Sequence, residues 1–337
     1  MTRYPHPEET VTVSSPVLFV LHSPTTDHPA ADPVRTDALA PILRVDDLGV
    51  TRGDGIFETI NAVDGYPQAL DAHLARFELS ASMLELPAPA VETWRRAALA
   101  ALDAHPRVPE LLLKLVMTRG VEGGDRCTGW VVAFPNTDFS RQRTEGIDLV
   151  TLDRAYPADV MTAAPWLLQG AKTISYAMNM AALRYARACG ADDAVFVSTE
   201  GVVLEGPNST LVAKFGDRLV TPPTDLGILA GTSQARLFRW AQERGLSTSY
   251  ERFKVDDLDG ADTLWVCSSG RLAVPVRTLD GTPRTWDADL HAAALTHLRT
   301  ARDQRGRMAA RRTDLPRDGY PAASWQDVTP DDRVDGQ

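Results

Sequence analysis

Lys172 stands in Gly170-Ala171-Lys172-Thr173-Ile174-Ser175-Tyr176, just ahead of a helical stretch, and Glu205 stands thirty-three residues later in Leu204-Glu205-Gly206-Pro207-Asn208. A lysine at a helix entrance is ordinarily a solvated charge, and a glutamate beside such a turn ordinarily faces water. Set among apolar neighbours and paired with each other, they suit a different chemistry. The amine can condense with a carbonyl to a Schiff base, and the carboxylate can hold a proton on a ring nitrogen. Pyridoxal phosphate (PLP) asks for both, and also for a phosphate cradle and a wall against the ring face. Gly231-Thr232-Ser233 opens a predicted helix, where N–H groups, two hydroxyls and the helix dipole favour an anion. Thr232 or Ser233 equally serves as a plain N-cap there. Ser268 and Ser269 follow a predicted buried strand, at a strand end. Tyr176 and Asn179, one or two turns past Lys172, lie within reach of the ring's hydroxyl side, unless Tyr176, Met180 and Leu183 form a core stripe instead.

These segments resemble the class IV aminotransferases, the fold type IV PLP enzymes. The likeness runs from about residue 40 to 295. It continues in Gly53-Asp54-Gly55-Ile56-Phe57-Glu58-Thr59, in His73-Leu74-Ala75-Arg76-Phe77, in Gly227-Ile228-Leu229-Ala230, and in Pro275-Val276 with Asp280-Gly281. It implies a two-domain α/β fold, with an α+β N-terminal domain, a β-rich α/β C-terminal domain and PLP at their interface. It makes Lys172 the catalytic amine, Glu205 the partner of the ring nitrogen, and Arg76 the cation of the phosphate cradle with Thr232, Ser233, Ser268 and Ser269. Arg119, in Thr118-Arg119-Gly120, matches an arginine that can meet a substrate carboxylate, a task suited to a guanidinium fork. The D-amino-acid branch places a histidine two residues after this arginine. Here Val121 stands there, followed by Glu122-Gly123-Gly124. Within the family this looks more like the 4-amino-4-deoxychorismate lyases, which release 4-aminobenzoate and pyruvate. A transaminase acting on D-amino or branched-chain amino acids is the alternative. A PLP-binding protein without catalysis is a third reading, opposed by the intact Lys172. The resemblance also implies a homodimer.

With 337 residues, 44% hydrophobic and 24% charged, the chain is long enough for two cores. Thirty-five basic residues against forty-five acidic ones give a net charge of −10, which argues against a nucleic-acid surface. A local arginine cluster can still hold an anionic ligand. Cys127, Cys189 and Cys267 show no Cys-x-x-Cys spacing, as expected of reduced thiols without zinc. No apolar run of signal-peptide or membrane-spanning length is evident, so the cytoplasm is the expected location. Asp46-Asp47, Asp192-Asp193 and Asp256-Asp257 read as helix starts and turns. The histidines, His73 among them, show no ligand spacing.

Strands are predicted at residues 16–21, 56–63, 110–117, 130–134, 147–152, 194–198, 209–215 and 263–267. Helices are predicted over 71–84, over 175–189 with Ser175 as N-cap and Gly190 as stop, over 232–244, and over 289–301. The smaller N-terminal domain is expected over residues 14–136 and the PLP-binding domain over 146–302, with Pro135–Glu145 as a polar, turn-rich linker. From Asp303 to Gln337 the composition predicts a mobile polar tail.

Overall fold

Gly55–Val63 and Glu110–Thr118, nine residues each, form an unbroken antiparallel pair, from Gly55↔Thr118 to Val63↔Glu110. The computed structural model describes residues 15–300. The tail predicted from Asp303 lies outside them. The first sheet contains β1 (Val17–Leu21), β2 (Val34–Thr36), β3 (Gly55–Val63), β4 (Tyr66–Pro67), β5 (Glu110–Thr118) and β6 (Thr128–Pro135), in the order β2-β1-β6-β5-β3-β4, all antiparallel. The single turn α1 (Leu48–Thr51) precedes β3 and is capped by the Asp47 carboxylate. Helices α2 (Leu70–Met83) and α3 (Val91–Ala104) cover one face. Ile56, Ile60, Leu74, Phe77, Trp94 and Leu113 are fully enclosed between helices and sheet. Helix α3 is not anticipated from the sequence, although Trp94, Ala97, Ala98 and Ala101 recur at helical spacing.

The linker is more ordered than its composition predicts. Residues 140–145 form helix α4 (Ser140–Glu145), because Arg143 is drawn inward. Its guanidinium donates to both oxygens of Glu110 at 2.7 and 2.8 Å, and to the carbonyls of Gly270 and Arg271. The loop after the next sheet's central strand is thereby tied to β5.

That second sheet is mixed. It contains β7 (Ile147–Asp153), β8 (Asp193–Val197), β9 (Thr210–Phe215), β10 (Arg218–Thr221), β11 (Ser247–Tyr250), β12 (Thr263–Ser268) and β13 (Leu272–Leu279), ordered β11-β10-β9-β12-β13-β7-β8, with β14 (Thr282–Pro283) paired to β13. The crossover from β7 to the parallel β8 carries the short α5 (Val160–Ala163) and α6 (Ala177–Ala188). Helices α7 (Thr232–Glu243) and α8 (Ala288–Thr300) enclose a core that includes Trp240, Trp265, Leu237 and Leu298. Asp193 is not a turn residue. It begins β8, is fully buried and accepts from Arg271 at 2.5 Å. Among the described residues no helix is long and apolar enough to cross a membrane.

The two sheets meet at the lysine segment. Phe57 N–H donates to the Lys172 carbonyl at 3.0 Å, and Ile174 N–H donates to the Gly55 carbonyl at 2.9 Å. This extended stretch adds itself to the start of β3 before α6 begins.

Candidate active site

Lys172 is fixed from three directions. Its carbonyl is held by β3, and its N–H donates to Ser80 Oγ of α2 at 3.1 Å. Its amine lies 4.3 Å from the centroid of the Phe57 ring. Burial, with the nearby charges of Arg76 and Lys114, lowers the amine pKa to about 8, against the pull of Glu58 and Glu205. The side chain opens onto a cavity of about 750 Å³ that Glu205, Tyr176, Arg76 and Arg119 also line. Thr232, Ser233, Ser268 and Ser269 line the same cavity, so every site residue expected from the sequence is brought together there.

Glu205 follows a hairpin return in which Phe196 N–H donates to the Glu205 carbonyl and Leu204 N–H to the Phe196 carbonyl. The turn after it forms as predicted, closed by Gly206 N–H on the Ser209 carbonyl at 2.8 Å. Its carboxylate nevertheless turns inward and accepts the Leu229 N–H at 3.0 Å. Burial raises its pKa, opposed by Arg154, the Leu229 N–H, Lys172 and Arg76. A carboxylate of raised basicity holds a shared proton more strongly.

Tyr176 Oη and Asn179 Nδ2 both donate to the Pro207 carbonyl, at 2.9 and 2.5 Å, locking the first turn of α6 to the Glu205 loop. The Tyr176 ring meets Phe57 edge-on. The alternative core stripe fails at Met180, which is exposed. Ser175 is not the N-cap of α6. Tyr176 holds that position, and Ser175 Oγ donates instead to the Gly53 carbonyl at 2.9 Å.

Neither Thr232 nor Ser233 caps α7, because Gly231 occupies the N-cap. A Cβ on Gly231 would sit 2.4 Å from Thr210 Oγ1, so the close approach of β9 demands glycine here. Both hydroxyls are thus free of capping duty at the positive end of the helix. Ser209 Oγ, on the wall of the cavity, is buried and has no hydrogen-bond partner among the described residues. An unsatisfied buried hydroxyl, a helix N-terminus and two further serine hydroxyls suit a polar anionic ligand, and the amine and carboxylate suit its carbonyl and its ring nitrogen.

The two arginines expected to meet ligands are already engaged. Arg76 donates to Glu58 through Nε at 2.6 Å and Nη2 at 2.7 Å, and through Nη1 to the Ala230 carbonyl at 2.6 Å, bracing the approach to α7. Glu58 is wholly buried. Burial would raise its pKa, but Arg76 and His73 outweigh it and hold the carboxyl well below the usual range. Arg119 donates to Asp54 at 2.6 Å and to the carbonyls of Leu84 and Glu85. Two residues passed over in the sequence belong to the site. Arg154 directly follows β7, with its guanidinium near the Phe196 ring and its Nε unpaired among the described residues, and it lines the cavity together with Glu205, whose pKa it lowers against the effect of burial. His73 joins Glu58 to the hydroxyls of Thr232 and Ser269. The i, i+3 spacing of His73 and Arg76 on α2 was the available signal for it.

The chain matches the family described as amino-transferase class IV over residues 55–279. It is 44% identical over 264 residues to a bifunctional aminodeoxychorismate lyase / D-amino acid transaminase of Mycobacterium tuberculosis, spanning 75% of this chain and 91% of that protein. Among solved structures it is similar to a fold IV-transaminase from Curtobacterium pusillum, at 46% identity and a TM-score of 0.82, covering 85% of this chain and 98% of that one. It is also similar to the PLP-bound form of a hypothetical aminotransferase from Mycobacterium tuberculosis, at 38% identity and a TM-score of 0.78, covering 85% and 99%.

Proposed function

The chain belongs to the class IV aminotransferases, and from that premise we propose that it is a lyase that converts 4-amino-4-deoxychorismate to 4-aminobenzoate and pyruvate. Its cofactor, pyridoxal 5'-phosphate, supplies an electron-withdrawing ring that stores the electron pair released at the substrate carbon. The placement of Lys172, Glu205 and the α7 N-terminus around one cavity supports the PLP chemistry, and Val121 followed by Glu122-Gly123-Gly124 after Arg119, where the D-amino-acid branch places a histidine, favours the lyase.

Each group has a defined task. With a pKa of about 8, Lys172 is partly neutral near neutral pH and can both accept and return a proton. Glu205, braced by Leu229 N–H, would keep the ring nitrogen protonated. Thr232, Ser233, Ser268 and Ser269 would hold the phosphate, with Arg76 adding positive charge from behind. Tyr176 and Asn179 keep Lys172 and Glu205 in register by gripping the same carbonyl. A substrate carboxylate at Arg119 must share the guanidinium with Asp54.

D-amino acid transamination is the second reading. It is favoured by the 44% identical Mycobacterium tuberculosis relative, which is described as both a lyase and a D-amino acid transaminase. The site chemistry serves both outcomes. Purified enzyme given aminodeoxychorismate, and separately D-alanine with 2-oxoglutarate, tests the proposal: 4-aminobenzoate with pyruvate is the expected product pair. D-glutamate forming hundreds of times faster would replace the lyase assignment.

A further inference from the structure

His73 lies almost wholly buried on α2, and its two ring nitrogens point at different parts of the site. Nδ1 is 2.7 Å from Glu58 Oε2. Glu58, ionised by its double hydrogen bond from Arg76, can only accept, so Nδ1 carries a proton. The Arg76 Nη2 contact at 3.4 Å is then a neighbouring charge facing another donor. In the neutral ring Nε2 is left as a bare acceptor. It sits 3.1 Å from Thr232 Oγ1 and 3.5 Å from Ser269 Oγ.

The consequence falls on the hydroxyls. A bare Nε2 draws the Thr232 hydroxyl proton toward α2 and leaves only oxygen lone pairs toward the cavity. Lone pairs are the wrong face for an anion. A protonated Nε2 reverses this: it donates to Thr232 Oγ1 and releases the hydroxyl proton to point into the cavity. Burial holds the imidazole toward its neutral form. Glu58 on β3 opposes that, and Arg76 on α2 and Lys172 ahead of α6 reinforce it. A phosphate at the mouth of α7 adds negative charge on the Nε2 side, where these residues place none.

We infer that His73 is a positioning residue for the phosphate: it takes up a proton from solvent when the phosphate binds and thereby turns the Thr232 hydroxyl from acceptor to donor. This rests on the reading that α7 and Ser268-Ser269 form the phosphate cradle. No covalent bond changes. One proton moves from solvent to Nε2, and the Glu58–His73–Thr232 chain reverses the sense of its last hydrogen bond.

The test is two-bond ¹H–¹⁵N spectroscopy of the histidine rings in the full-length protein, stripped of cofactor and reloaded with PLP or with pyridoxal. The His73 signal is assigned by its loss in His73→Gln, or, if that variant does not fold, by its shift in Thr232→Val. The expected result is a neutral Nδ1–H ring in the stripped protein, both nitrogens protonated with PLP, and the neutral ring retained with pyridoxal. A ring that stays neutral with PLP, is already charged without it, or responds equally to pyridoxal overturns the inference. His73→Gln should also narrow the preference for PLP over pyridoxal about tenfold. Thr232→Val and Ser269→Ala separate the two claims. If they leave that preference intact, the cradle itself is misplaced. If they reduce it while the wild-type ring stays neutral, the cradle stands and the proton uptake fails.

Discussion

Lys172 and Phe57 are joined twice: the Phe57 N–H donates to the Lys172 carbonyl at 3.0 Å, and the Lys172 amine stands 4.3 Å from the Phe57 ring centroid. One residue of β3 thus fixes both the height of the lysine backbone and the surroundings of its amine. The pair therefore governs how readily the amine attacks a carbonyl. Capture of PLP by the stripped protein should quicken about tenfold per pH unit below the amine pKa and level off above about 8. Phe57→Ala removes cover as well as the ring's attraction for the ammonium. Burial is the larger effect, since the pKa lies below that of a free lysine, so the plateau should move to higher pH. Stopped-flow absorbance across pH reads both. Borohydride reduction followed by peptide mapping should place the pyridoxyl group on Lys172, and a label on Lys114, Lys214 or Lys254 would refute the assignment.

Glu205→Gln should retain most of the cofactor and lose turnover by on the order of a hundredfold. The amide oxygen can still accept from Leu229 N–H, so the loop should survive. The amide cannot hold a proton on a ring nitrogen. Activity at saturating PLP and substrate equal to wild type would reduce Glu205 to a turn residue.

Part of this site was legible in the sequence, and the reason is local. Lys172, Glu205 and Gly231-Thr232-Ser233 sit next to turn and helix-start signals, so their chemistry and backbone context can be read together. The strand at 110–118 announces itself by its apolar residues, and the one at 55–63 by the Asp64-Gly65 turn that follows it. His73 could not be read this way. Its partners Thr232 and Ser269 are 159 and 196 residues distant, and only the meeting of two sheets brings them to Nε2. The bond between Arg119 and Asp54 likewise depends on the register that sets Gly55 opposite Thr118. Arg143 reads as one charge in a polar stretch until its contacts to Glu110 and Gly270 are seen.

Arg143 and Glu110 make a testable clasp between the sheets. Both terminal guanidinium nitrogens reach the carboxylate, and the arginine is almost fully buried. Arg143→Met should destabilise the fold by about 3–5 kcal/mol, since it strips a largely buried charge of its main partner. Glu110 is subject to burial, which raises its pKa, but hydrogen bonds from Arg143 bring it below its ordinary value of 4.5. A depressed carboxyl contributes stability that is complete above the unfolded value and is lost as pH falls through the folded one. Denaturant titrations from neutral pH to below 4.5 should therefore show a steeper loss for wild type than for Glu110→Gln. Parallel slopes would remove Glu110 from the acid response.

Trp166, Met178, Met180 and Tyr185 are exposed on α6 and on the turn that ends at Leu167. Large apolar groups gathered along one short stretch suit burial against another surface, and the expected cover is a second copy of the chain. Light scattering after size exclusion should give twice the chain mass, and Trp166→Glu should shift the species toward monomer at micromolar concentration. An active wild-type monomer at assay concentration would end the homodimer proposal.

Arg119 offers the sharpest separation of substrate binding from turnover. Its Nε donates to Asp54 and its remaining nitrogens to the carbonyls of Leu84 and Glu85, so the guanidinium is held rigid at the cavity wall with its charge partly balanced. An incoming carboxylate competes with Asp54. Arg119→Leu removes the attraction and should raise KM for a carboxylated substrate ten- to a hundredfold, the range of one charge-assisted hydrogen bond. Asp54→Asn removes the competitor, keeps the side chain's size and should lower KM while leaving kcat near wild type. Opposite movement of KM in the two variants is the signature of a shared guanidinium. It holds for lyase and transaminase alike, and the product, 4-aminobenzoate or D-glutamate, tells the two reactions apart in the same assays. If both variants leave KM unchanged while the fold is intact by circular dichroism, Arg119 is a strut between β5 and the loop after α2, and the substrate carboxylate is met elsewhere in the cavity, with Arg154 the first residue to test.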